Sequence, residues 1–124
     1  MILDIGGEGR HPEAWNLNPK RRKTLGHQRG EPIPRLIHGR GESIPLSDRS
    51  VDVVIVERTP LRPQTLSEVL RVASRSAQII LRHANAHQRD PHKLALQALS
   101  GAVEQRVVII EGRAVQETVI QLLA

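Results

Sequence analysis

Apolar residues in this chain come in short runs, and their period changes from two to that of a helix and back. Residues 2–5 form an apolar run that ends in glycines, and residues 15–17 form a second that ends at Asn18-Pro19. Residues 35–38 are a third, closed by Gly39-Arg40-Gly41. Residues 50–58 ("SVDVVIVER") carry the strongest strand pattern: Val53 and Ile55 point one way, Val54 and Val56 the other. Both faces of that strand therefore ask for burial.

The period then becomes helical. Pro63 suits the first turn of a helix over 63–74, with Leu66, Val69, Leu70 and Ala73 on one stripe. Residues 77–81 ("AQIIL") return to strand. Asp90-Pro91 supplies an N-cap and a first-turn proline for a second helix, with Leu94, Ala95, Ala98 and Leu99 inward and Gly101 at its end. Residues 106–110 and 115–123, joined by Glu111-Gly112-Arg113, read as a hairpin. The expected order is β, β, β, β-α-β-α, then a β-hairpin, which implies a single α/β domain over 1–124. Its sheet is mostly parallel with one antiparallel edge.

Composition narrows the chemistry. The 124 residues include one Trp and no Phe, Tyr or Cys. The core is aliphatic, and disulfides, zinc thiolates and cysteine nucleophiles are excluded. No apolar run reaches the roughly 20 residues of a membrane span, and no signal-peptide layout is present, so a cytoplasmic location is expected. The net charge of +5 is concentrated. Lys20, Arg21, Arg22, Lys23, Arg29, Arg35 and Arg40 face Glu31 alone within residues 20–40. Such a run is either a solvated loop or a contact for phosphates, including nucleic acid, or for acidic partners. Residues 19–34 contain three prolines and no helical period, and are expected to be loop.

The order of motifs resembles that of the class I S-adenosylmethionine-dependent methyltransferases over nearly the whole chain. "ILDIGGEG" (2–9) is similar to the family's first strand, acid and glycine-rich loop. "AWNLNP" (14–19) is similar to its ribose-binding strand end, and residues 39–57 to the run from the adenine turn into the fourth strand. Glu68, Arg71 and Val72 fall in register with the family's next helix, and the terminal hairpin matches its antiparallel last strands. The resemblance implies a Rossmann-like sheet that holds S-adenosylmethionine at Asp4, Gly6, Gly7, Gly9, Asn18 and Glu42. It also implies Glu57, just after the fourth strand, as a catalytic base.

Several positions depart from the pattern. Glu8 and Arg10 stand at two of the loop's glycine positions, so their side chains must turn away from a ligand. Asn18 replaces an acid that accepts from both ribose hydroxyls, and Arg40 cannot accept from an adenine amino group, which leaves that role to Glu42. Weak cofactor binding is expected. The alternative is a non-catalytic relative that acts as a binding or regulatory subunit.

His83, His87, Asp90 and His92 have spacings that zinc or nickel sites use, but the helix start at Asp90 separates them, and no metal is expected. Neither the 2–17 stretch nor residues 19–34 offers an amphipathic helix, and the two recognisable helices should share one face. The other sheet face is then expected to be apolar and open, covered first of all by a second copy in a homodimer, with the basic loop 19–34 folding over part of it, or another protein, as the alternatives.

Overall fold

The computed structural model describes residues 1–84 and 92–123. Its elements are β1 (Ile2–Ile5), β2 (Trp15–Asn18), β3 (Leu36–His38), β4 (Val51–Glu57), α1 (Pro63–Val72), β5 (Ala73–Ala84), α2 (Lys93–Ala98), β6 (Gly101–Ile110) and β7 (Arg113–Leu122). They form one sheet in the order β3-β2-β1-β4-β5-β7-β6. Pairing is parallel from β3 through β5 and antiparallel in β5-β7-β6. The expected Rossmann-like α/β class and its closing hairpin are both present. Strand order reverses between β1 and β4, and a crevice at such a reversal is where open α/β sheets hold ligands.

Register puts Leu3, Ile5, Val54, Val56, Ile79, Leu81 and Ile120 on one face. These residues form the core with Leu66, Val69 and Val72 of α1 and Ala95 of α2. Both helices therefore cover this face, as the crossover rule requires.

Several boundaries differ from the sequence pattern. Helix α1 stops at Val72 because Ala73 pairs with Val51 at the start of β5. Val72 is buried in place of Leu70, which is 51% exposed. Strand β5 starts four residues before the apolar run, its polar 74–76 stretch absorbed by a register shift against β4. Strand β6 starts at Gly101, not at 106, since an exposed edge strand needs no apolar alternation. Gly101 thus opens a strand instead of ending a helix, and a Cβ there would lie 2.2 Å from the Gln121 carbonyl oxygen. In α2 only Ala95 and Leu99 of the predicted stripe are buried. The predicted start at Asp90-Pro91, with His87, lies outside the described residues.

The second sheet face is not the continuous apolar surface that β4 suggested. Val53, Ile80 and Val119 are partly exposed there, but one row carries Glu57, Arg82, Glu117 and Arg106 side by side on β4, β5, β7 and β6. The loop after β1 sends Arg10 and His11 onto the Glu57 end of that row. A homodimer would meet a mixed, partly ion-paired surface here and not the bare apolar face the sequence led one to expect.

Residues 21–33, expected as a structureless loop, form a short ribbon. Arg22 bridges Pro32 in antiparallel fashion, Lys23 N donates to Glu31 O at 2.8 Å, and Ile33 N donates to Arg21 O at 3.0 Å. Ile33, 5% exposed, anchors the ribbon. Among the described residues, no helix is long and apolar enough to cross a membrane.

Candidate functional site

A cleft of about 400 Å³ lies at the carboxyl ends of β1 and β2, at the reversal of strand order. Its walls come from Gly6 and Glu8 of the first loop, Asn18 and Lys20 after β2, the 39–42 turn and Thr59-Pro60 after β4. Three of the predicted cofactor residues, Gly6, Asn18 and Glu42, line it. Asp4, Gly7, Gly9 and Glu57 do not.

The glycines are required first by this chain's own packing. Gly6 has φ +75°, and a Cβ there would fall 1.8 Å from Oγ1 of Thr59. At Gly7 a Cβ would press on the Asn16 and Asp4 side chains, and at Gly9 on Pro34. Of the two side chains that interrupt the glycines, Arg10 turns away from the cleft, whereas Glu8 stays in its wall. Glu8 accepts from Thr24 N at 2.9 Å and Thr24 Oγ1 at 2.5 Å, clamping the ribbon to the cleft rim. Arg10 donates to Glu57 on the other side of the loop.

Asn18 is buried, and its amide is engaged internally. Its Nδ2 donates to Gly7 O at 3.1 Å, and its Oδ1 accepts from Lys20 N at 2.9 Å. Each atom keeps one further hydrogen-bonding position. Glu42 reaches the rim, with Arg62 at 3.9 Å.

Asp4 and Glu57 sit together beneath the loop in opposite states. Asp4 is 1% exposed, and among the described residues neither of its carboxylate oxygens has a hydrogen-bond partner. Burial first, then the charge of Glu57, pushes its pKa up to about 7 against the pull of Arg10 and Arg82. Glu57, the predicted base, is 5% exposed. Burial alone would raise it, but the hydrogen bond and charge of Arg10, then His11 and Arg82, hold it below the ordinary carboxylate value.

Sequence reasoning missed Thr59, Lys20, Thr24 and Arg62 in the cleft, since none of these residue types has a distinguishing pattern. It also missed a chain of hydrogen bonds behind Thr59. His83 Nε2 meets Thr59 O at 2.7 Å, His83 Nδ1 meets His92 Nε2 at 2.9 Å, and His92 Nδ1 meets Thr118 Oγ1 at 2.6 Å. The histidine cluster was noticed as a metal candidate. His83 and His92 do come together, with facing nitrogens at hydrogen-bond distance, while His87 and Asp90 lie outside the described residues.

No family model matches the chain, and no curated protein does. Solved structures do. The chain is similar to a SAM-dependent methyltransferase from Thermotoga maritima at 15% identity and TM-score 0.67, covering 97% of this chain and 81% of that one. It is similar to the Burkholderia thailandensis 1,6-didemethyltoxoflavin-N1-methyltransferase, solved with S-adenosylhomocysteine, at 14% identity and TM-score 0.70, covering 99% and 71%. It is also similar to a Haloferax volcanii methyltransferase in complex with the Trm112 activator, at 14% identity and TM-score 0.70, covering 99% and 82%. The chain has the fold of the class I S-adenosylmethionine-dependent methyltransferases over nearly its whole length.

Proposed function

We propose that the cleft binds S-adenosylmethionine or its product S-adenosylhomocysteine, and that the domain is methyltransferase-like with its acceptor unassigned. One observation carries this reading: a cleft lies at the reversal of strand order and is built from the glycine loop, the end of β2 and the 39–42 turn. Gly6 leaves backbone for the ligand's amino-acid end. The remaining valences of Asn18 face the ribose, and Glu42 accepts from the adenine amino group. The bound cofactor supplies an activated methyl group. The protein's part is to orient it and exclude water, since methyl transfer asks chiefly for in-line approach. In this reading Asp4, Gly7 and Gly9 act through the shape of the loop, and Glu57 holds the loop through Arg10.

A second reading is a non-catalytic subunit that acts through protein contacts. The internal engagement of Asn18 and the pairing of Glu57 favour it, as does the neighbour held by an activator protein. Calorimetric titration with S-adenosylmethionine and S-adenosylhomocysteine decides between them. Micromolar binding, weakened at least about fivefold by Glu42→Ala with loss of roughly one hydrogen bond, supports the cofactor reading. No heat up to millimolar ligand leaves the subunit reading.

A further inference from the structure

The ribbon at the cleft rim carries charge that the rest of the molecule does not neutralise. Arg10, Arg58, Arg62, Arg71, Arg82 and Arg106 all pair with carboxylates. Among the described residues, none of the seven cations in residues 20–40 does so. Six of the seven are exposed, and Lys23 is partly so. Arg49, Arg75, Lys93 and Arg113 are exposed and unpaired as well, but they are scattered along the chain, whereas residues 20–40 gather seven cations against Glu31 alone.

Three further features make this a surface built for a polyanion. The ribbon is ordered before any partner arrives, by the Arg22–Pro32 bridge, the bond from Arg22 Nη1 to Gly30 O at 3.0 Å and the Glu8–Thr24 clamp. Pre-ordering lowers the entropic cost of docking. It is continuous with the cleft, because Thr24 of the ribbon and Lys20 and Arg40 on its flanks, within the same basic 20–40 segment, line the cleft. The chain has no Phe or Tyr, and its one Trp, Trp15, already carries the Arg35 guanidinium over its ring at 4.7 Å, so stacking platforms for unstacked bases are scarce. Recognition by charge without base stacking fits a phosphodiester backbone in duplex form.

We propose that the 20–40 ribbon docks the backbone of a duplex nucleic acid and lays it across the mouth of the cleft. The docking stands on the ribbon alone, so its failure and that of the cofactor reading are separate results. About four phosphate contacts would give a log–log salt slope of about −3.6, or roughly a 150-fold loss of affinity between 50 and 200 mM salt.

The test is fluorescence anisotropy with a labelled 24-base-pair RNA duplex and the DNA duplex of the same sequence, at 50 and 200 mM KCl. Arg21→Glu/Arg29→Glu changes two exposed side chains for which no side-chain contact is seen, so the fold is preserved. Arg75→Glu/Arg113→Glu makes the same charge change at exposed sites elsewhere. The expected result is binding to at least one duplex with the steep salt slope, weakened more than 30-fold by the ribbon pair and less than threefold by the control pair. The preferred duplex identifies the sugar. Absence of binding to either duplex at 50 mM KCl overturns the proposal, as does equal weakening by both double variants. Displacement of the duplex by poly-glutamate at matched charge also overturns it, and assigns the surface to an acidic protein.

Discussion

Arg10 reaches from the glycine loop to the Glu57 carboxylate at the end of β4, and so ties the loop to the sheet from below. Glu57 also meets Arg82 Nη1 at 3.4 Å, Arg82 Nε donates to Glu117 at 2.7 Å, and Arg106 Nε donates to Glu117 at 2.7 Å. The row alternates in sign across four strands, the favourable arrangement for cross-strand neighbours. Breaking a buried pair from one side leaves the other charge uncompensated. Glu57→Gln should therefore cost about 3 kcal/mol in denaturant unfolding, and Arg10→Ala, whose side chain is partly exposed, about 2 kcal/mol. The double variant should show at least about 1 kcal/mol of coupling. Additive losses would mean that the pair does not hold the loop.

Asp4 gives a pH dependence of defined sign. Burial and the charge of Glu57 push its carboxyl up to about 7 in the fold, from an ordinary value of 3.8. The folded state therefore binds the proton more tightly than the unfolded chain. The stability it contributes is full below about pH 4 and is lost as pH rises through 7. The shift of roughly three pH units corresponds to something on the order of 4 kcal/mol. Glu57 and Glu117 act in the opposite sense and in another window, losing stability as pH falls below their ordinary range. Asp4→Asn should flatten the stability profile between about pH 4 and 7. An unchanged slope in urea titrations would show that Asp4 is ionised in the fold.

Gly6 and Thr59 form a steric pair that can be separated from backbone strain. Thr59 Oγ1 donates to Ile5 O at 3.2 Å and occupies the place a Gly6 side chain would need. Gly6→Ala should cost about 3 kcal/mol, roughly 1 kcal/mol of it from the left-handed backbone. In a Thr59→Ala background the steric share should disappear and only the backbone share remain. A Gly6→Ala penalty that is the same in both backgrounds would remove Thr59 as the reason for the glycine.

The sheet was legible because its central strands obey simple rules. "VDVVIV" needs both faces buried, and Pro63 marks a helix start. Those two features fix a parallel strand followed by a crossover. What failed lay where burial does not dictate residue type. Strand β6 is an exposed edge, so residues 101–105 carried no alternation, and Ser74–Ser76 entered β5 through a bulge that no period predicts. The cleft was legible through Gly6, Asn18 and Glu42, whose neighbours along the chain form motifs. Asp4 and Glu57 also stood in motifs. That their carboxylates lie beneath the loop depends on Arg10 and Arg82, which are 47 and 25 residues from Glu57.

The link from Thr59 to His83, His92 and Thr118 admits one arrangement of protons when both rings are neutral. Thr59 O can only accept, so His83 carries its proton on Nε2. His83 Nδ1 must then accept from His92 Nε2, and His92 Nδ1 from the Thr118 hydroxyl, which in turn accepts from Gln105 Nε2 at 3.1 Å. Burial lowers the His83 pKa, opposed by its bond to Thr59 and the charge of Glu57. A histidine with a lowered folded pKa contributes stability that is present above 6.5 and is lost as pH falls below it. Nitrogen NMR at pH 6.5 should show His83 mainly neutral with the proton on Nε2. Thr118→Val removes the hydroxyl at the end of the chain and should cost about 1–2 kcal/mol, with the His92 ring nitrogens the first signals to move. A His83 signal with its proton on Nδ1 would break the chain at its first link.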